Sequence, residues 1–194
     1  MAIGRPRTFC TDEALDRAMQ VFWRKGYEGA TIADLTQAIG INPPSLYAAF
    51  GSKEELFRKA LTRYADKRDE VLREALSKPK ARDGIASLLR TTADFLTEKC
   101  NPACCLLVQG VSAVGDHAEC IRDEMNRKRA EGEKTIRQRL KRAKAEGELP
   151  QTADPSTLAR YFATITAGMA VQAAAGASRA ELRKVAETAM KIWP

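Results

Sequence analysis

The apolar residues of this chain recur at three- and four-residue intervals, and almost nowhere do they alternate with polar ones. Near the start, Leu15, Ala18, Met19 and Phe22 fall on one face of a helix. No segment has the period of two that a half-buried strand would show, and no strand–helix–strand order occurs. The pattern therefore predicts an all-α protein.

Three short helices are predicted to lead into a long one. They cover about 12–25, 32–39 and 44–50, and the long helix covers 53–76. Hydroxyl and acidic residues favour helix starts, and glycine favours helix ends. Ser52 stands three residues before Glu55, which is the spacing of a capping box. The residues expected to begin helices are Thr11 or Asp12, Thr31 and Ser52. Those expected to end helices are Gly26 and Gly40.

The segment 77–84 predicts a break in the chain, because Pro79 and Gly84 interrupt helices. We expect an N-terminal domain over 1–60, linked by the long helix to about 76, and a C-terminal domain over 77–194. In this second domain helices are predicted at 85–99, 103–115, 118–147, 155–175 and 179–192.

Two of these helices differ in polarity. The helix over 118–147 is heavily charged, so most of its surface should be solvated. Segment 158–177 contains one charge, Arg160, and is rich in small residues, so we expect burial on nearly all sides. A partner subunit or the centre of a monomer would provide that burial. The predicted i,i+4 pairs of the charged helix are Glu124 with Lys128 and Glu133 with Arg137.

Composition narrows the class of protein. With 194 residues, 44% of them hydrophobic and 29% charged, the chain can bury a core and does not resemble a disordered segment. No long apolar run or signal-peptide core is present, so we expect a cytoplasmic protein without a membrane segment. The net charge of +7 is spread along the chain and by itself does not predict nucleic-acid binding.

Residues 31–50 have the dimensions of a helix-turn-helix. Ser45 and Tyr47 offer small polar ends to DNA, while Leu46 and Phe50 can face the core. Lys53 adds a charge at the start of the next helix. The alternative is a helical hairpin in which the prolines only begin a helix and Tyr47 covers the core.

The segment GRPRTFCTDEALDRAMQVFWRKGYEGATIADLTQAIGINPPSLYAAFGSKEELF resembles the N-terminal DNA-binding domain of the tetracycline-repressor (TetR) family over about 4–64. The shared positions include Phe22, Gly26, Tyr27, Thr31, Ile39, Gly40, Ser45, Leu46, Tyr47, Phe50 and Lys53 to Leu56. This resemblance implies an all-helical homodimeric repressor, released from a palindromic double-stranded operator by a small-molecule inducer bound in the C-terminal domain.

The same resemblance implies roles for individual residues of the N-terminal domain. Thr31, Ser45, Tyr47 and Lys53 would contact phosphates. Few charged or amide side chains are available to read bases, so base choice would depend on a small set of residues. That set is Asn42, Pro44, Ser45 and the N-terminal arm with Arg5 and Arg7.

The sequence says less about the signal that would regulate DNA binding. As an inducer pocket we predict apolar or amide residues on helices that should converge, namely Phe95, Gln109, Met125, Tyr161 and Ile165. An alternative is a metal or thiol-oxidation sensor, because thiols suit soft metals and oxidants. Its residues would be Cys100, Cys104, Cys105 and Cys120. Their spacing is not that of a zinc site, and these cysteines also suit small buried apolar positions in a reduced protein.

Enzyme chemistry is poorly supported by the sequence. His117 is the only histidine, and no nucleophile elbow, glycine-rich phosphate loop or H-E-x-x-H motif occurs. We therefore predict a protein that is not an enzyme and has no cofactor. A helical interaction module without DNA activity is the remaining alternative.

Overall fold

The computed structural model describes residues 10–99, 101–109 and 119–194 of the chain. These residues form helices and no strand, so the all-α prediction is confirmed. The helices are α1 (Thr11–Gly29), α2 (Ile32–Ile39), α3 (Pro43–Phe50), α4 (Lys53–Leu76), α5 (Ala81–Leu96), α6 (Leu106–Gln109), α7 (Glu119–Ala145), α8 (Pro155–Ala174) and α9 (Arg179–Ala189), followed by a 3₁₀ turn (Met190–Ile192).

The caps that begin α2 and α4 are those expected from the sequence. The hydroxyl of Thr31 accepts the N–H of Asp34 at 3.1 Å, and the hydroxyl of Ser52 accepts that of Glu55 at 3.1 Å. In both cases the acidic side chain bonds back to the cap, which completes a capping box. Gly40 ends α2 in the left-handed region, with φ of 82°.

Helix α1 differs from its prediction at both ends. It begins at Thr11, after Cys10, whose side chain makes no capping hydrogen bond. Neither Thr11 nor Asp12 is therefore the N-cap. At the other end Gly26 does not stop the helix: its φ of 70° makes a kink, and helix resumes to Gly29.

The junction of α4 and α5 is shorter than the predicted break. Helix α5 begins at Ala81, and Gly84 is buried within it. A Cβ at Gly84 would lie 3.2 Å from the carbonyl oxygen of Ala75 and 3.4 Å from the Cα of Leu76. The glycine therefore allows α5 to approach the end of α4 closely, and it does not mark a loop.

Two apolar cores share α4, the first along its N-terminal half and the second at its C-terminal end. The first core fills the space between the first four helices, which we call the head; its largest buried side chains include Phe22, Leu35, Leu46 and Phe57. It continues into α6 and the start of α7. The second core joins α4 and α5 to α7, α8 and α9, which we call the bundle. Phe95 packs against both cores, so the head and the bundle are in apolar contact.

The carboxylates of α7 bind residues other than those predicted. Glu124 pairs with Arg58 of α4 at 3.3 Å and with Arg127 at 3.6 Å. Glu133 pairs with Arg160 of α8 at 2.8 Å. Neither carboxylate pairs with the basic residue four positions later, because neighbouring helices present arginines to the same face of α7.

Helix α8 is less buried than its composition suggested. Its inner face, which includes Phe162 and Met169, is buried, whereas Thr164, Gly168 and Val171 on the outer face are exposed. Val171 is 54% exposed. The prediction of burial on nearly all sides is therefore wrong for the single chain. Within the described residues, no helix is both long and apolar enough to cross a membrane.

Candidate nucleic-acid interface and effector cavity

Helix α3 separates a buried face from an exposed one within two turns. Leu46 and Phe50 are buried in the core of the head. Asn42, Pro44 and Tyr47 are exposed, and Tyr47 keeps 49% of its surface in solvent. A large aromatic residue exposed beside a closely packed core is a surface suited to contact with another molecule.

The first turn of α3 is fixed by Asn42 and two prolines. The Oδ1 of Asn42 accepts the N–H of Ser45 at 2.9 Å, and Pro43 and Pro44 occupy positions where a missing N–H costs no hydrogen bond. The side-chain oxygen of Asn42 is therefore engaged, which leaves its Nδ2 group as the outward donor. Ser45 is half-buried beside it.

The start of α2 contains an ionic group that the sequence reasoning missed. The hydroxyl of Thr31 donates to Asp34 at 2.8 Å, and Lys25 of α1 donates to the same carboxylate at 2.6 Å. The hydrogen bond from Lys25, together with those from Thr31, lowers the pKa of Asp34 to about 2. The spacing of Thr31 and Asp34 signals a cap, but nothing in the sequence joined Lys25 to them.

Lys53 lies at the first position of α4 and is held over an aromatic ring. Its Nζ is 4.6 Å from the centre of the Tyr27 ring, a cation–π distance. Burial raises the pKa of Tyr27, so the ring remains a neutral phenol at physiological pH. The ammonium group is thereby positioned at a helix N-terminus beside α3. Arg5 and Arg7 lie outside the described residues.

A cavity of about 470 Å³ lies between α4, α5, α7 and α8, with the region around α6 closing one side. Its volume is within the range of small-molecule sites in proteins. Most of its wall is apolar, with residues contributed by every one of these helices. Representative wall residues are Leu72, Leu88, Val108, Ile136 and Ala167.

Three arginines and one glutamate also line this cavity: Arg68, Arg129, Arg160 and Glu133. Arg68 comes from α4 and donates to the carbonyl of Lys128 at 3.2 Å. It can do so because Gly132 has no side chain: a Cβ there would lie 2.5 Å from the Nη2 of Arg68. The positive charges of the cavity wall are therefore guanidinium groups.

The structure brings only part of the predicted inducer pocket together. Phe95 lines the cavity, whereas Met125, Tyr161 and Ile165 do not. Met125 belongs to the core of the head, and the ring of Tyr161 packs edge-on against Phe162 at 5.2 Å. Ile165 packs against the core of the bundle. The side chain of Gln109 lies outside the described residues.

Trp23 connects the cavity to the head. Its Nε1–H donates to the carbonyl oxygen of Cys104 at 2.7 Å, and its ring stacks on Phe95 with centroids 5.5 Å apart. Tyr64 contacts the same indole edge-on at 4.9 Å. Because Tyr64 and Phe95 both line the cavity, two of its wall residues touch α1 directly.

The described cysteines are free and occupy different environments. Burial raises the pKa of the Cys104 thiol to about 11, so this thiol stays protonated. Cys105 lines the cavity, and the Tyr64 hydroxyl donates to its sulfur at 3.3 Å. Cys120 is exposed and 3.4 Å from a carboxylate oxygen of Glu54. Cys100 and His117 lie outside the described residues, and no group of three potential metal ligands occurs within them.

A helix-turn-helix head joined to a helical bundle with a ligand-sized cavity defines a class of DNA-binding transcriptional regulators. Family models give the assignment within that class. Residues 14–74 match the model described as bacterial regulatory proteins, tetR family, and residues 79–189 match the one described as tetracyclin repressor-like, C-terminal domain. The chain belongs to the TetR family.

Similar proteins agree with this assignment. The transcriptional repressor ComR of Escherichia coli K12 is 36% identical over 194 residues, which covers 98% of this chain and 92% of ComR. A cysteine mutant of the TetR-family regulator CifR, solved with a 26 bp double-stranded operator, is 44% identical with a TM-score of 0.94, and the match covers 98% of this chain and 100% of that one. Reduced NemR of Escherichia coli, at 22% identity and a TM-score of 0.82, covers 95% of this chain and 96% of that one and shares the fold.

These relatives are transcriptional regulators, and this chain is likewise a DNA-binding transcriptional regulator and not an enzyme. The family assignment favours this function over a helical interaction module without DNA activity.

Proposed function

We propose that the protein is a homodimeric repressor that binds a palindromic double-stranded operator and is released from it by a small molecule. The exposed face of α3, with Asn42, Pro44 and Tyr47 above buried Leu46, is the observation that carries the proposal. The operator complex of CifR and the name of ComR support it. Such a repressor works beside the chromosome, so the proposal includes a cytoplasmic location.

In this proposal the α3 helices of two subunits enter successive major grooves. Thr31, Ser45, Tyr47 and Lys53 contact phosphates and set the register of the protein on the DNA. Asn42 and Pro44 face base edges, and the Nδ2 group of Asn42 suits a base acceptor because its oxygen caps the helix. Arg5 and Arg7 of the N-terminal arm reach a neighbouring groove.

The test begins with genomic fragments selected by the wild-type protein. Lys53→Gln should weaken binding to such a fragment and lower the slope of log affinity against log salt by about one. Lys78→Gln, the same change in the turn after α4, should leave affinity and slope unchanged. Equal salt-dependence slopes for the wild type, Lys53→Gln and Lys78→Gln would contradict a phosphate contact by Lys53. If the wild type retains no genomic fragment, DNA binding itself is contradicted.

The homodimer in this proposal uses the outer face of the bundle. Among the described residues the exposed large hydrophobic side chains are Tyr47, Val171, Val185 and Ile192, and the last three lie on α8, α9 and the 3₁₀ turn. Small exposed residues such as Gly168 would let the α8 helices of two subunits approach closely. Val171→Glu should shift the protein from dimer to monomer in light scattering, whereas Glu70→Gln on α4 should not.

The inducer in this proposal occupies the cavity. One wall of the cavity is α4, which links the N-terminal domain over 1–60 to about 76, and the other walls belong to the domain over 77–194. Helix α4 lines the cavity with Tyr64 and Arg68 and carries Lys53 at its start. A ligand that binds one arrangement of α4 more tightly would change the spacing of the two heads. Phe95→Ala should abolish release by an effector that acts on the wild type, whereas Tyr161→Ala, outside the cavity, should preserve it.

A second signal, a thiol reaction, is favoured by one observation: Cys105 lines the cavity beside the Tyr64 hydroxyl. An oxidant or electrophile entering the cavity would meet this sulfur, whereas Cys104 is buried and protonated. Cys105→Ser should remove operator release by such reagents, and Cys120→Ser should not. Release that persists when Cys100, Cys104, Cys105 and Cys120 are all replaced by serine would eliminate this signal, and the same variants test release by copper or zinc.

A further inference from the structure

We propose that the effector of this cavity is an organic acid with a single negative charge, and that its carboxylate pairs with the guanidinium group of Arg129. The inference rests on the proposed function, because it names the chemical class of the molecule that would occupy the regulatory cavity. It is drawn from the distribution of charges and hydrogen-bond donors along the cavity wall.

The charges of the wall do not cancel. Arg160 pairs with Glu133 at 2.8 Å, and Arg68 pairs with the adjacent Asp69 at 2.9 Å. Arg129 forms no ion pair with any residue in the described parts of the chain; its guanidinium donates to the amide oxygen of Asn126. Among the described residues, the three arginines of the wall therefore meet two carboxylates, Glu133 of the wall and Asp69 beside it, which leaves one net positive charge at Arg129.

An unneutralised cation at this place favours an anionic ligand. The Arg129 side chain is half-buried on the face of α7 that also presents Gly132 and Ile136 to the cavity. A charge that is partly removed from water is stabilised by a counter-ion with which it can hydrogen bond. The planar guanidinium matches a carboxylate in a two-point contact, which an alcohol or an amide does not reproduce with the same strength.

Three of the four threonines of the wall do not compete for this role, and the fourth, Thr91, carries no charge. The hydroxyl of Thr92 donates to the carbonyl of Leu88 at 2.8 Å, that of Thr164 to Arg160 at 2.8 Å and that of Thr166 to Ala163 at 2.9 Å. Their hydroxyl hydrogens are engaged within the helices, so these side chains offer acceptor oxygens to the cavity. The guanidinium of Arg129 is consequently the donor suited to a carboxylate.

The rest of the wall defines the remainder of the ligand. Leu72, Leu88, Ile136 and Ala167 present aliphatic surface, and Phe95 adds a ring. Burial of an aliphatic or aromatic body against these residues would supply binding free energy through the hydrophobic effect. The cavity of about 470 Å³ has room for such a molecule.

The experiment compares acids with their neutral amides in the full-length protein. Octanoate and 2-naphthoate are titrated by calorimetry and in an operator-release assay, alongside octanamide and 2-naphthamide. Each acid should bind the wild type at least about tenfold more tightly than its amide. Arg129→Gln should weaken acid binding by about ten- to a hundredfold and leave amide binding unchanged, while Arg129→Lys should keep part of the preference.

Arg137→Gln is the matched control, because it removes the same charge from α7 at a residue that does not line the cavity. It should retain the full preference for acids. Equal binding of acid and amide by the wild type, no binding of either acid, or a preference that survives Arg129→Gln would each overturn the inference. Operator release by the amides alone would overturn the inference while supporting the proposed function. Acid binding that requires Arg129 but releases no operator would overturn the acid as the effector and would also count against ligand-controlled release.

Discussion

The head and the bundle are built from the same kind of amphipathic helices, yet they fill space differently. In the head, the helices surround side chains such as Phe22, Leu46 and Phe57, which have no exposed surface. In the bundle, the helices leave a cavity of about 470 Å³. A close-packed interior resists deformation, whereas a cavity can be stabilised by a ligand. The DNA-binding surface and the effector site of this regulator therefore have separate physical requirements.

The largest expected effect tests this difference in packing. Leu46→Ala removes a fully buried side chain from the head and should lower the free energy of unfolding by about 3 to 5 kcal/mol. Leu88→Ala enlarges a cavity that already exists and should cost only about 1 to 2 kcal/mol. Urea unfolding at equal protein concentrations measures both values. Equal losses would mean that the bundle is packed as tightly as the head.

A second effect tests the connection between the two regions. Trp23→Phe removes the indole N–H that donates to the carbonyl oxygen of Cys104 at 2.7 Å, so this buried oxygen loses its hydrogen bond from Trp23. The expected loss is about 1 to 3 kcal/mol, since an unpaired buried acceptor is costly. Trp193→Phe is the control, because the Trp193 indole packs against the core of the bundle and donates no hydrogen bond to any of the described residues. If both variants unfold at the same urea concentration, Trp23 does not join the regions as described.

A third effect separates stability from DNA binding. Thr31→Ala and Ser52→Ala in the head, and Ser178→Ala at the start of α9, each remove the hydroxyl of a capping box. Each should cost about 1 kcal/mol of unfolding free energy. Operator affinity, measured by fluorescence anisotropy, should fall for the two head variants only. A comparable fall for Ser178→Ala would show that cap loss in the bundle reaches the DNA-binding surface.

The smallest effect concerns pH and the surface of the head. Hydrogen bonding to Arg63 lowers the pKa of Asp16 to about 2, below the ordinary value of 3.8. This carboxylate therefore stabilises the folded protein above about pH 4, and that stabilisation is lost as pH falls toward 2. Because the carboxylate is partly exposed, its contribution should stay below about 1 kcal/mol.

Urea midpoints at pH 6 and pH 3 measure this contribution. Asp16→Asn should be less stable than the wild type at pH 6, and the difference should shrink at pH 3. Asp66→Asn, on the exposed side of α4, should show no such trend. A difference that is constant with pH would argue against the Asp16–Arg63 pair as its source.

Sequence reasoning succeeded where the determining interactions are local. The cap at Thr31, the capping box at Ser52, the proline entry of α3 and the inward positions of Leu46 and Phe50 depend on residues a few positions apart. Such spacings are visible in a single sequence. The exposed surface of α3 followed from them, because an inward Leu46 turns Tyr47 outward.

Sequence reasoning failed where the contacting residues come from distant segments of the chain. The sequence favoured salt bridges within α7, but Glu124 and Glu133 bind arginines of α4 and α8. Gly84 suggested a loop, yet it is the contact point of two helices. Of the predicted pocket residues whose side chains are described, only Phe95 lines the cavity, since apolar character does not reveal which side of a helix faces an opening.

Local sequence signals were sufficient to predict most of the helices, the caps of α2 and α4 and the motif that marks a DNA-binding regulator, because helix signals and turn signals act over a few residues. Only the packing of the helices reveals where the cavity lies and which arginine of its wall, Arg129, has no carboxylate partner among the described residues. These properties depend on how helices separated by tens of residues pack around Gly132 and Arg68, and no local spacing encodes that arrangement.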